Sequence, residues 1–465
     1  MTVIYSARWV LPIIFPTIED GAVAFEKSSI IAVGPRTEIV SRFPAARAAD
    51  FGEAAILPGL VNAHSHLELT VMRGFLEQEE NNFFAWLRKL TLARLAMTAE
   101  DLVVSGTCGA IEAARAGVTC MGDASSAARE AIGALGTVGL RGIVYQESFG
   151  PDPNGAGDNV ARLRTQILEL RALENDTVRV GVSPHAPYTV SGPQLELIAR
   201  LAIDENLPLM MHAAESEAEK LLMLEGQGVF ADGLRSRGIQ WPTPGISTIQ
   251  YLQRHGILET KPLFAHCVNV DDRDLELIKQ NSAGIAHCPK SNAKLGHSRA
   301  RFAEFIRHDL NVGLGSDSMA SNNTCDIIEE ARFATLLARL PGNRDDLVKN
   351  ERMTAPDLIT AEQALYAATF GGARALGLHN QIGALADGMQ ADITVVGLNG
   401  QYQQPVRDPA AALVFGSSGR DVLLTTVAGK EIYCDGRVTA VDESEFRERL
   451  LQVRSKIEPD SASRR

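Results

Sequence analysis

The chain has 465 residues, of which 45% are hydrophobic and 40 are glycine. A chain of this length can bury a large core, and a catalytic domain of about 300 residues with a smaller companion domain is a reasonable expectation. The 45 basic and 57 acidic residues give a net charge of −12. This balance argues against a surface that binds the phosphate backbone, and we therefore expect no nucleic-acid partner.

The cysteines and the apolar runs indicate the compartment. The six cysteines are scattered without a Cys-x-x-Cys pair, as in a protein that keeps its thiols reduced. Pro12 and Pro16 interrupt the apolar start of the chain, no basic segment precedes it, and no run approaches the roughly 18 apolar residues of a membrane-spanning helix. We expect a cytoplasmic protein with no membrane partner.

Both ends of the chain predict β-structure. Residues 1–57 contain short apolar or β-branched runs separated by Gly, Pro and Asp, and residues 391–438 show a similar pattern. The two ends are therefore expected to form one small sheet domain, from residues 1–57 and 377–440. The charged tail, residues 441–465, predicts one surface helix with a frayed end, and we assign it no function.

Residues 58–376 alternate strand-like runs with helical patterns. The strand-like runs are "ILPGLVNAHSH", which begins just before this segment, "VTCMGDA", "RGIVYQE", "VRVGVSPHAP", "LPLMMHAAE", "PLFAHCVN", "SAGIAHCP" and "NVGLGSD". Eight parallel strands with intervening helices favour an α/β fold of the (β/α)8 TIM-barrel type. A doubly wound open sheet is the alternative architecture, but no GxGxxG turn follows the first strand.

Polar residues follow the apolar part of nearly every predicted strand. Because active sites of barrels lie at the carboxyl ends of the strands, we expect these residues to share one rim. They are His64, His66, Asp123, Glu147, His185, His212, His266, His287 and Asp317.

Four of these residues predict a metal site. His64 and His66 lie two positions apart on one strand and so point the same way. Taken singly, a strand-end histidine is usually a satisfied polar residue, and an aspartate in "GSDS" is often a turn or helix-cap residue. Together with His212 and Asp317, however, the pair supplies three imidazoles and one carboxylate, a typical donor set for a divalent metal such as zinc.

The motifs around these residues resemble a known group. "PGLVNAHSHLE", "MMHAAESE", "FAHCVNV", "AHCPKSNAKLG" and "GLGSDSMASN" resemble, in order and context, the marker segments of the amidohydrolase superfamily, in particular its branch of nucleoside and triazine deaminases. The resemblance spans nearly the whole chain. It implies a (β/α)8 barrel, a small β-sandwich domain built from both chain ends, and one divalent metal held by His64, His66, His212 and Asp317.

The resemblance also implies the number of metal ions and their identity. Members with two metals carry a carboxylated lysine at the end of strand four, and "RVGVSPHAP" has no lysine. A single metal is therefore expected, with zinc as the first choice and iron as the alternative.

The chemistry implied is hydrolytic deamination of a nitrogen heterocycle. A divalent metal lowers the pKa of bound water from about 15.7 toward 7, which provides hydroxide for attack on a ring carbon and release of ammonia. Glu215, in "HAAE", resembles the glutamate that contacts the substrate and protonates the ring nitrogen, although a helix-first-turn carboxylate is the structural alternative. His266 resembles the histidine that orients the water, Asp317 can accept its proton, and His185 resembles a substrate-contact histidine.

Residues 73–95, after the first strand, are expected to select the substrate. Phe83, Phe84, Trp86 and Leu87 form an amphipathic pattern that predicts a lid over a ring or ribose, with Trp86 as a substrate contact. Packing of this segment on the barrel is the alternative interpretation.

The charges of this lid favour an anionic substrate. Deaminases of S-adenosylhomocysteine and methylthioadenosine carry a ribose-binding glutamate beyond the lid tryptophan, whereas this chain has no acid between its lid tryptophan and Glu100. It offers Arg73, Arg88, Lys89 and Arg94 instead, and we expect Arg88 to bind the substrate. In this respect the chain resembles the aminodeoxyfutalosine deaminases, whose substrate carries an adenine and a benzoate carboxylate.

Aminodeoxyfutalosine is therefore the first-choice substrate, followed by S-adenosylhomocysteine, methylthioadenosine and adenosine. Two alternatives stay open at this point. One is a triazine or guanine deaminase or chlorohydrolase, and the other is a non-catalytic scaffold protein of the same fold. The expected partner is a small-molecule nucleoside or heterocycle, and a homo-oligomer is compatible with the sequence.

The remaining polar residues are weaker candidates. We interpret His287, Asp123 and Glu147 as structural or supporting residues. Three polar residues are expected to shape the loop behind Asp317, namely Ser318, Ser321 and Asn322. Four histidines have no convergent partners in the sequence pattern: His255, His297, His308 and His379.

Overall fold

The computed structural model describes residues 1–340 and 358–458. Within these ranges the strands are β1 (Thr2–Val10), β2 (Ile18–Glu26), β3 (Ser29–Pro35), β4 (Arg47–Asp50), β5 (Ala54–Pro58), β6 (Leu60–Ser65), β7 (Val118–Ser125), β8 (Arg141–Ser148), β9 (Val178–Pro184), β10 (Met210–Ala213), β11 (Leu263–His266), β12 (Gly284–His287), β13 (Asn311–Leu314), β14 (Ile393–Gly397), β15 (Val422–Val427), β16 (Lys430–Cys434) and β17 (Arg437–Val438).

Helices follow most of the strands in the middle of the chain. The α-helices are α1 (Arg36–Arg42), α2 (Phe83–Leu95), α3 (Ala99–Arg115), α4 (Ala128–Val138), α5 (Ala156–Arg171), α6 (Gly192–Asp204), α7 (Glu217–Glu225), α8 (Gly228–Ser236), α9 (Thr248–Arg254), α10 (Asp272–Gln280), α11 (Pro289–Lys294), α12 (Phe302–Arg307), α13 (Met319–Asn322), α14 (Ile327–Ala338), α15 (Ala361–Tyr366), α16 (Gly372–Ala375), α17 (Pro409–Ala411) and α18 (Glu443–Ile457). None of the helices in the described ranges has the length and apolarity needed to cross a membrane.

The two chain ends pair in one nine-stranded sheet. Its order is β17-β16-β15-β14-β5-β1-β2-β3, and β4 pairs with β1. The central contact is antiparallel pairing of β14 with β5, in which Ile393 lies opposite Pro58. Strands from both ends therefore share one sheet, while the sandwich form and the domain bounds 1–57 and 377–440 stay predictions.

The eight strands β6 to β13 are parallel and lie in two four-stranded sheets, β6-β7-β8-β9 and β10-β11-β12-β13. Isolated parallel bridges connect the sheets at both outer strands, Val182 to Leu209 and Ser65 to Asp317. Nearly every residue of β7 and β8 is buried, as is typical of parallel strands covered on both faces.

The first predicted strand, "ILPGLVNAHSH", is two strands. It divides at Gly59, so that β5 belongs to the nine-stranded sheet and β6 to the parallel strands. A Cβ at Gly59 would lie 2.1 Å from the Thr119 hydroxyl oxygen, so only glycine permits this close approach.

A buried ion pair connects the nine-stranded sheet to the parallel strands. Arg141 at the start of β8 donates from Nε to Asp392 Oδ2 at 2.8 Å and from Nη2 to Oδ1 at 3.1 Å, with side chains 5% and 1% exposed. Such a bidentate pair fixes the relative position of the two elements.

Helix α18 packs beside the segment that precedes the lid. Val453 and Ile457 are buried in one apolar cluster with Met72, Leu76 and Trp86. The charged tail therefore contributes an apolar face to the support of this region, and residues 459–465 lie outside the described ranges.

Candidate metal centre and active site

The carboxyl ends of three strands bring four predicted ligands together. His64 is the penultimate residue of β6, His66 lies just beyond this strand, His212 lies in β10, and Asp317 follows β13. Asp317 Oδ1 lies 3.4 Å from His64 Nε2 and 3.6 Å from His66 Nε2. His66 Nε2 lies 3.2 Å from His212 Nε2. The four side chains therefore aim nitrogen and oxygen donors at one small volume.

The protonation states suit a divalent metal. Burial lowers the pKa of His64 to about 4 and that of His212 well below the ordinary value, so both imidazoles are neutral. Burial alone would raise the pKa of Asp317, but its interactions with the surrounding histidines, His64 first, hold it well below its usual range. His64 Nε2 is buried without a hydrogen-bond partner in the described part of the chain. Neutral imidazoles with one carboxylate fit zinc or a similar ion.

Neighbouring groups orient these donors. The backbone carbonyl of His185 accepts from His212 Nδ1 at 2.9 Å, which leaves Nε2 free to face the site. Asp317 Oδ2 accepts from Ser291 Oγ at 2.5 Å and from Ser321 Oγ at 2.9 Å, which leaves Oδ1 free. Such contacts fix tautomer and orientation, as the partners of metal ligands commonly do.

Several non-glycine residues of this rim have left-handed backbone. Ala214 has φ 54°, His266 has φ 75° and Asp317 has φ 57°. Each such conformation costs about 1–3 kcal/mol and persists where the surrounding structure enforces it. The strand ends are therefore bent to aim side chains inward.

Glu215 and His266 lie beside the ligands. His266 Nε2 is 3.7 Å from Glu215 Oε1, and its Nδ1 contacts Asn292 Oδ1 at 2.9 Å. Glu219 Oε2 accepts from the backbone N–H of Glu215 at 3.0 Å and so holds the segment after β10. Burial alone would raise the pKa of Glu215, but His266 and then His297 lower it below its ordinary value.

His297 is part of this arrangement, so the expectation that it lacks a convergent partner was wrong. Its Nε2 lies 3.4 Å from Glu215 Oε1, both side chains are 6% exposed, and its ring meets the edge of Phe83 with centroids 4.9 Å apart. It comes from the loop after α11 rather than from a strand end. No sequence spacing marks such a residue, because the contact depends on how the loop folds back.

A cavity of about 810 Å³ opens over the ligands. His185 lines it, its ring centroid lies 4.7 Å from that of His212, and burial lowers its pKa to about 3. From the lid helix α2, Trp86 lines the same cavity and is buried. Phe83, Phe84 and Leu87 are also in the lining.

Only part of the basic lid faces this cavity. Arg88 and Arg94 line it, whereas Arg73 pairs with Glu112 and Lys89 pairs with Glu79 away from it. Of the four cations that the lid offers, Arg73 and Lys89 therefore do not face the cavity. Neighbouring residues on a helix point about 100° apart, so Arg88 and Lys89 cannot serve the same face.

One cation was missed by the sequence analysis. Arg237 follows α8 and lines the cavity, with its Nε donating to the carbonyl of Gly233 at 3.3 Å. It lies far along the chain in a segment without any motif.

The weaker candidates divide into two groups. Glu147 lines the cavity, and burial, followed by the charges of Glu68 and Asp123, raises its pKa well above the usual range. His287 stacks on Phe302 with centroids 5.1 Å apart and is not in the cavity lining. Ser318 precedes α13 and is in the lining, and Asn322 at the end of α13 donates to the backbone carbonyl of Ser316. His255, His308 and His379 are not in the lining.

Residues 55–432 match the model of the amidohydrolase family. The chain belongs to this family, as its motifs indicated, and is a hydrolase of the deaminase-containing branch.

Two comparisons identify proteins that are similar to this chain along nearly its whole length. The chain is 32% identical to the 5-methylthioadenosine/S-adenosylhomocysteine deaminase of Nitratidesulfovibrio vulgaris (strain DSM 19637 / Miyazaki F), with 94% of this chain and 93% of that one covered. It superposes on an adenosine deaminase from Xanthomonas campestris, crystallised with bound zinc, with a TM-score of 0.84 and 26% identity over 98% and 99% of the two chains.

A third comparison concerns the fold alone. Atrazine chlorohydrolase from Arthrobacter aurescens TC1, crystallised with zinc, gives a TM-score of 0.82 at 22% identity over 97% of this chain and 100% of that one.

Proposed function

We propose that this protein is a metal-dependent hydrolytic deaminase of adenine nucleosides. The observation that carries the proposal is the convergence of three imidazoles and the Asp317 carboxylate on the floor of a cavity, with Glu215 beside them. The names of the relatives, a methylthioadenosine/S-adenosylhomocysteine deaminase and an adenosine deaminase, support the nucleoside as substrate.

The architecture belongs to the proposal as well. We infer that β6 to β13 form a closed (β/α)8 barrel, because isolated bridges connect both outer pairs of strands. The small domain from both chain ends would be a β-sandwich built around the nine-stranded sheet. A cytoplasmic location is part of the same proposal.

One divalent ion would be held by His64, His66, His212 and Asp317, with zinc as first choice and iron as the alternative. When bound, such an ion lowers the pKa of a coordinated water toward 7 and so supplies the nucleophile near neutral pH. Strand β9, Val178–Pro184, contains no lysine, which favours one ion over two.

The side chains around the ligands would manage the protons. Glu215, held at 3.7 Å from His266, would transfer a proton to the ring nitrogen next to the attacked carbon. His266, oriented by Asn292, would position the water, and Asp317 would accept a proton from it and pass it to the leaving amine. His185 would contact the nucleoside. Positioned acids and bases of this kind typically contribute about 10²- to 10⁴-fold.

The cavity volume suits a nucleoside with an extended group, since ligand sites commonly measure about 300–1,000 Å³. Trp86 would cover the ring and Arg88, with Arg94, would bind an anionic 5′ substituent. Aminodeoxyfutalosine remains the first choice, followed by S-adenosylhomocysteine, methylthioadenosine and adenosine. Triazine or guanine substrates are not favoured, because the triazine hydrolases, at 21–22% identity, and a guanine deaminase, at 18% identity, share only the fold.

The test is ammonia release from a panel of compounds with purified protein in the presence of zinc. The panel contains the four nucleosides, guanine, cytosine and a triazine. We expect conversion of adenine nucleosides, with loss of absorbance in the purine band, and faster conversion where the 5′ side carries an anion. Conversion of guanine or triazines alone would contradict the proposal. If adenosine is converted fastest, only the proposed preference for an anionic 5′ substituent would be contradicted.

A further inference from the structure

Three carboxyl groups lie together beside the cavity, at the ends of three neighbouring strands. Glu68 follows β6, Asp123 lies in β7 and Glu147 lies in β8. Glu68 is 3% exposed and Asp123 is fully buried. Arg94 of the lid faces this cluster, with Nε 3.8 Å from Glu68 Oε1.

The hydrogen bonds give Asp123 a structural role and distinguish it from Glu68 and Glu147. Asp123 Oδ1 accepts from Ser65 Oγ and from the backbone N–H of Leu67, both at 2.8 Å, and Asp123 does not line the cavity. It therefore serves the turn that carries the metal ligands of β6. Glu68 and Glu147 do line the cavity.

These two glutamates keep unsatisfied oxygens. Glu68 Oε1 accepts from the backbone N–H of Ser126 at 3.2 Å. Glu68 Oε2 and Glu147 Oε1 are buried and have no hydrogen-bond partner among the residues that the structure describes. Buried polar atoms are rarely left without a partner, so each such atom beside a ligand cavity points to a donor on the ligand.

The position of Glu147 limits which part of a ligand it can meet. Its carboxylate lies within 4.8 Å of ring nitrogens of His185 and His212. Glu147 comes from β8 and Glu215 follows β10, with β9 between them. Glu147 and Glu215 would therefore contact different parts of a bound nucleoside, and Glu215 would contact the ring.

We propose that Glu147 and Glu68 recognise the sugar hydroxyls of the substrate and thereby select nucleosides over free bases. The inference rests on the proposed function. A hydroxyl donates to a carboxyl oxygen, and two neighbouring acceptors match two neighbouring hydroxyls. The lid offers no acid for this purpose between Trp86 and Glu100, so the acceptors come from the strand ends below it.

The test compares two substrates in four proteins. The substrates are adenosine and 2′,3′-dideoxyadenosine, and the proteins are the wild type, Glu147→Leu, Glu147→Gln and the control Glu79→Gln. Leucine removes both oxygens without breaking a hydrogen bond of Glu147 that the structure records, and glutamine retains one acceptor. Glu79 pairs with lid residue Lys89 but does not line the cavity.

For the wild type we expect a kcat/KM about two- to tenfold higher for adenosine, the range typical of a hydrogen bond between uncharged groups. Glu147→Leu should lose most of this preference through slower conversion of adenosine, with 2′,3′-dideoxyadenosine unaffected. Glu147→Gln should retain an intermediate preference, and Glu79→Gln should match the wild type. Calorimetric Kd values of inosine and 2′,3′-dideoxyinosine should show the same pattern without turnover.

Equal losses on both substrates in Glu147→Leu would assign Glu147 a structural role and overturn the inference. A wild type that does not distinguish the substrates would do the same, and in both cases the proposed function would stand. Absence of turnover with every adenine nucleoside would instead remove the proposed function and this inference with it.

Discussion

Glu215 lies against two histidines, with His266 at 3.7 Å and His297 at 3.4 Å. Because these neighbours lower its pKa despite burial, Glu215 is a carboxylate at neutral pH. In the proposed reaction it must therefore take a proton before it can give one to the ring nitrogen. The attacking water is the source of that proton, which makes Glu215 a carrier rather than a preformed acid.

Replacing Glu215 tests this role at the scale of one residue. Glu215→Gln should keep its fold and its metal and lose at least about 10²-fold in kcat, since a positioned acid or base contributes about that much or more. Turnover and metal content are measured on the same preparation. Glu217→Gln is the control, because Glu217 is exposed and pairs with its helix neighbour Lys220. Wild-type turnover in Glu215→Gln would make Glu215 a mere structural carboxylate.

At the scale of elements, the lid depends on a helix from the other end of the chain. Val453 of α18 is 3% exposed and shares an apolar cluster with Met72, Leu76 and Trp86. Lys456 of the same helix pairs with Asp101 at 2.5 Å. The segment that carries Trp86 is therefore held by α18 as well as by the strand ends.

Val453→Ala should lower the free energy of unfolding by about 2 kcal/mol, because two buried methyl groups are lost and a cavity remains. It should also raise KM, since the cluster supports Trp86. Urea unfolding and steady-state kinetics measure the two effects. Leu451→Ala on the same helix is the matched control, because Leu451 is 55% exposed. An unchanged KM with reduced stability would show that α18 does not support the lid.

The sequence predicted the strand ends better than it predicted the segments between strands. His64, His66, His212 and Asp317 could be grouped because parallel strands present their carboxyl ends at one edge. The contact of His297 with Glu215 could not be predicted, because it depends on the path of a loop. For a related reason the sequence could not tell which lid cation faces the cavity, since a rotation of one residue along α2 turns Lys89 toward Glu79.

The division of "ILPGLVNAHSH" at Gly59 was also beyond the sequence pattern. Both halves are buried, and periodicity cannot distinguish one long buried strand from two short ones. The distinction depends on the close approach of Thr119 to Gly59, which is a tertiary contact.

At the scale of the whole molecule, several buried histidines make the fold sensitive to acid. Burial lowers the pKa of His287 to about 3 and that of His185 also to about 3. The unfolded chain takes up protons at these residues below about pH 6.5, whereas the folded chain does not. Stability is therefore complete above about pH 6.5 and falls as the pH decreases toward 3.

His287→Asn should remove one such residue without touching the cavity. Between pH 6 and pH 4 the wild type should lose about 1.4 kcal/mol per pH unit more than this variant, the value for one proton. Urea unfolding across this range is the measurement. His379→Asn, at an exposed position, should follow the wild type. If the free energy of unfolding of His287→Asn and of the wild type depends on pH in the same way, His287 takes up its proton in the folded protein as readily as in the unfolded chain, which would contradict the prediction.

The central claim is that one metal ion, held by His64, His66, His212 and Asp317, drives the deamination. The most direct test measures metal content by elemental analysis and ammonia release on the same samples of the wild type and of the double variant His64→Ala with His66→Ala. We predict close to one metal per wild-type chain, activity proportional to metal content after chelation and zinc addition, and loss of both properties in the double variant. Close to two metals per active chain, or full activity in the double variant, would contradict the claim.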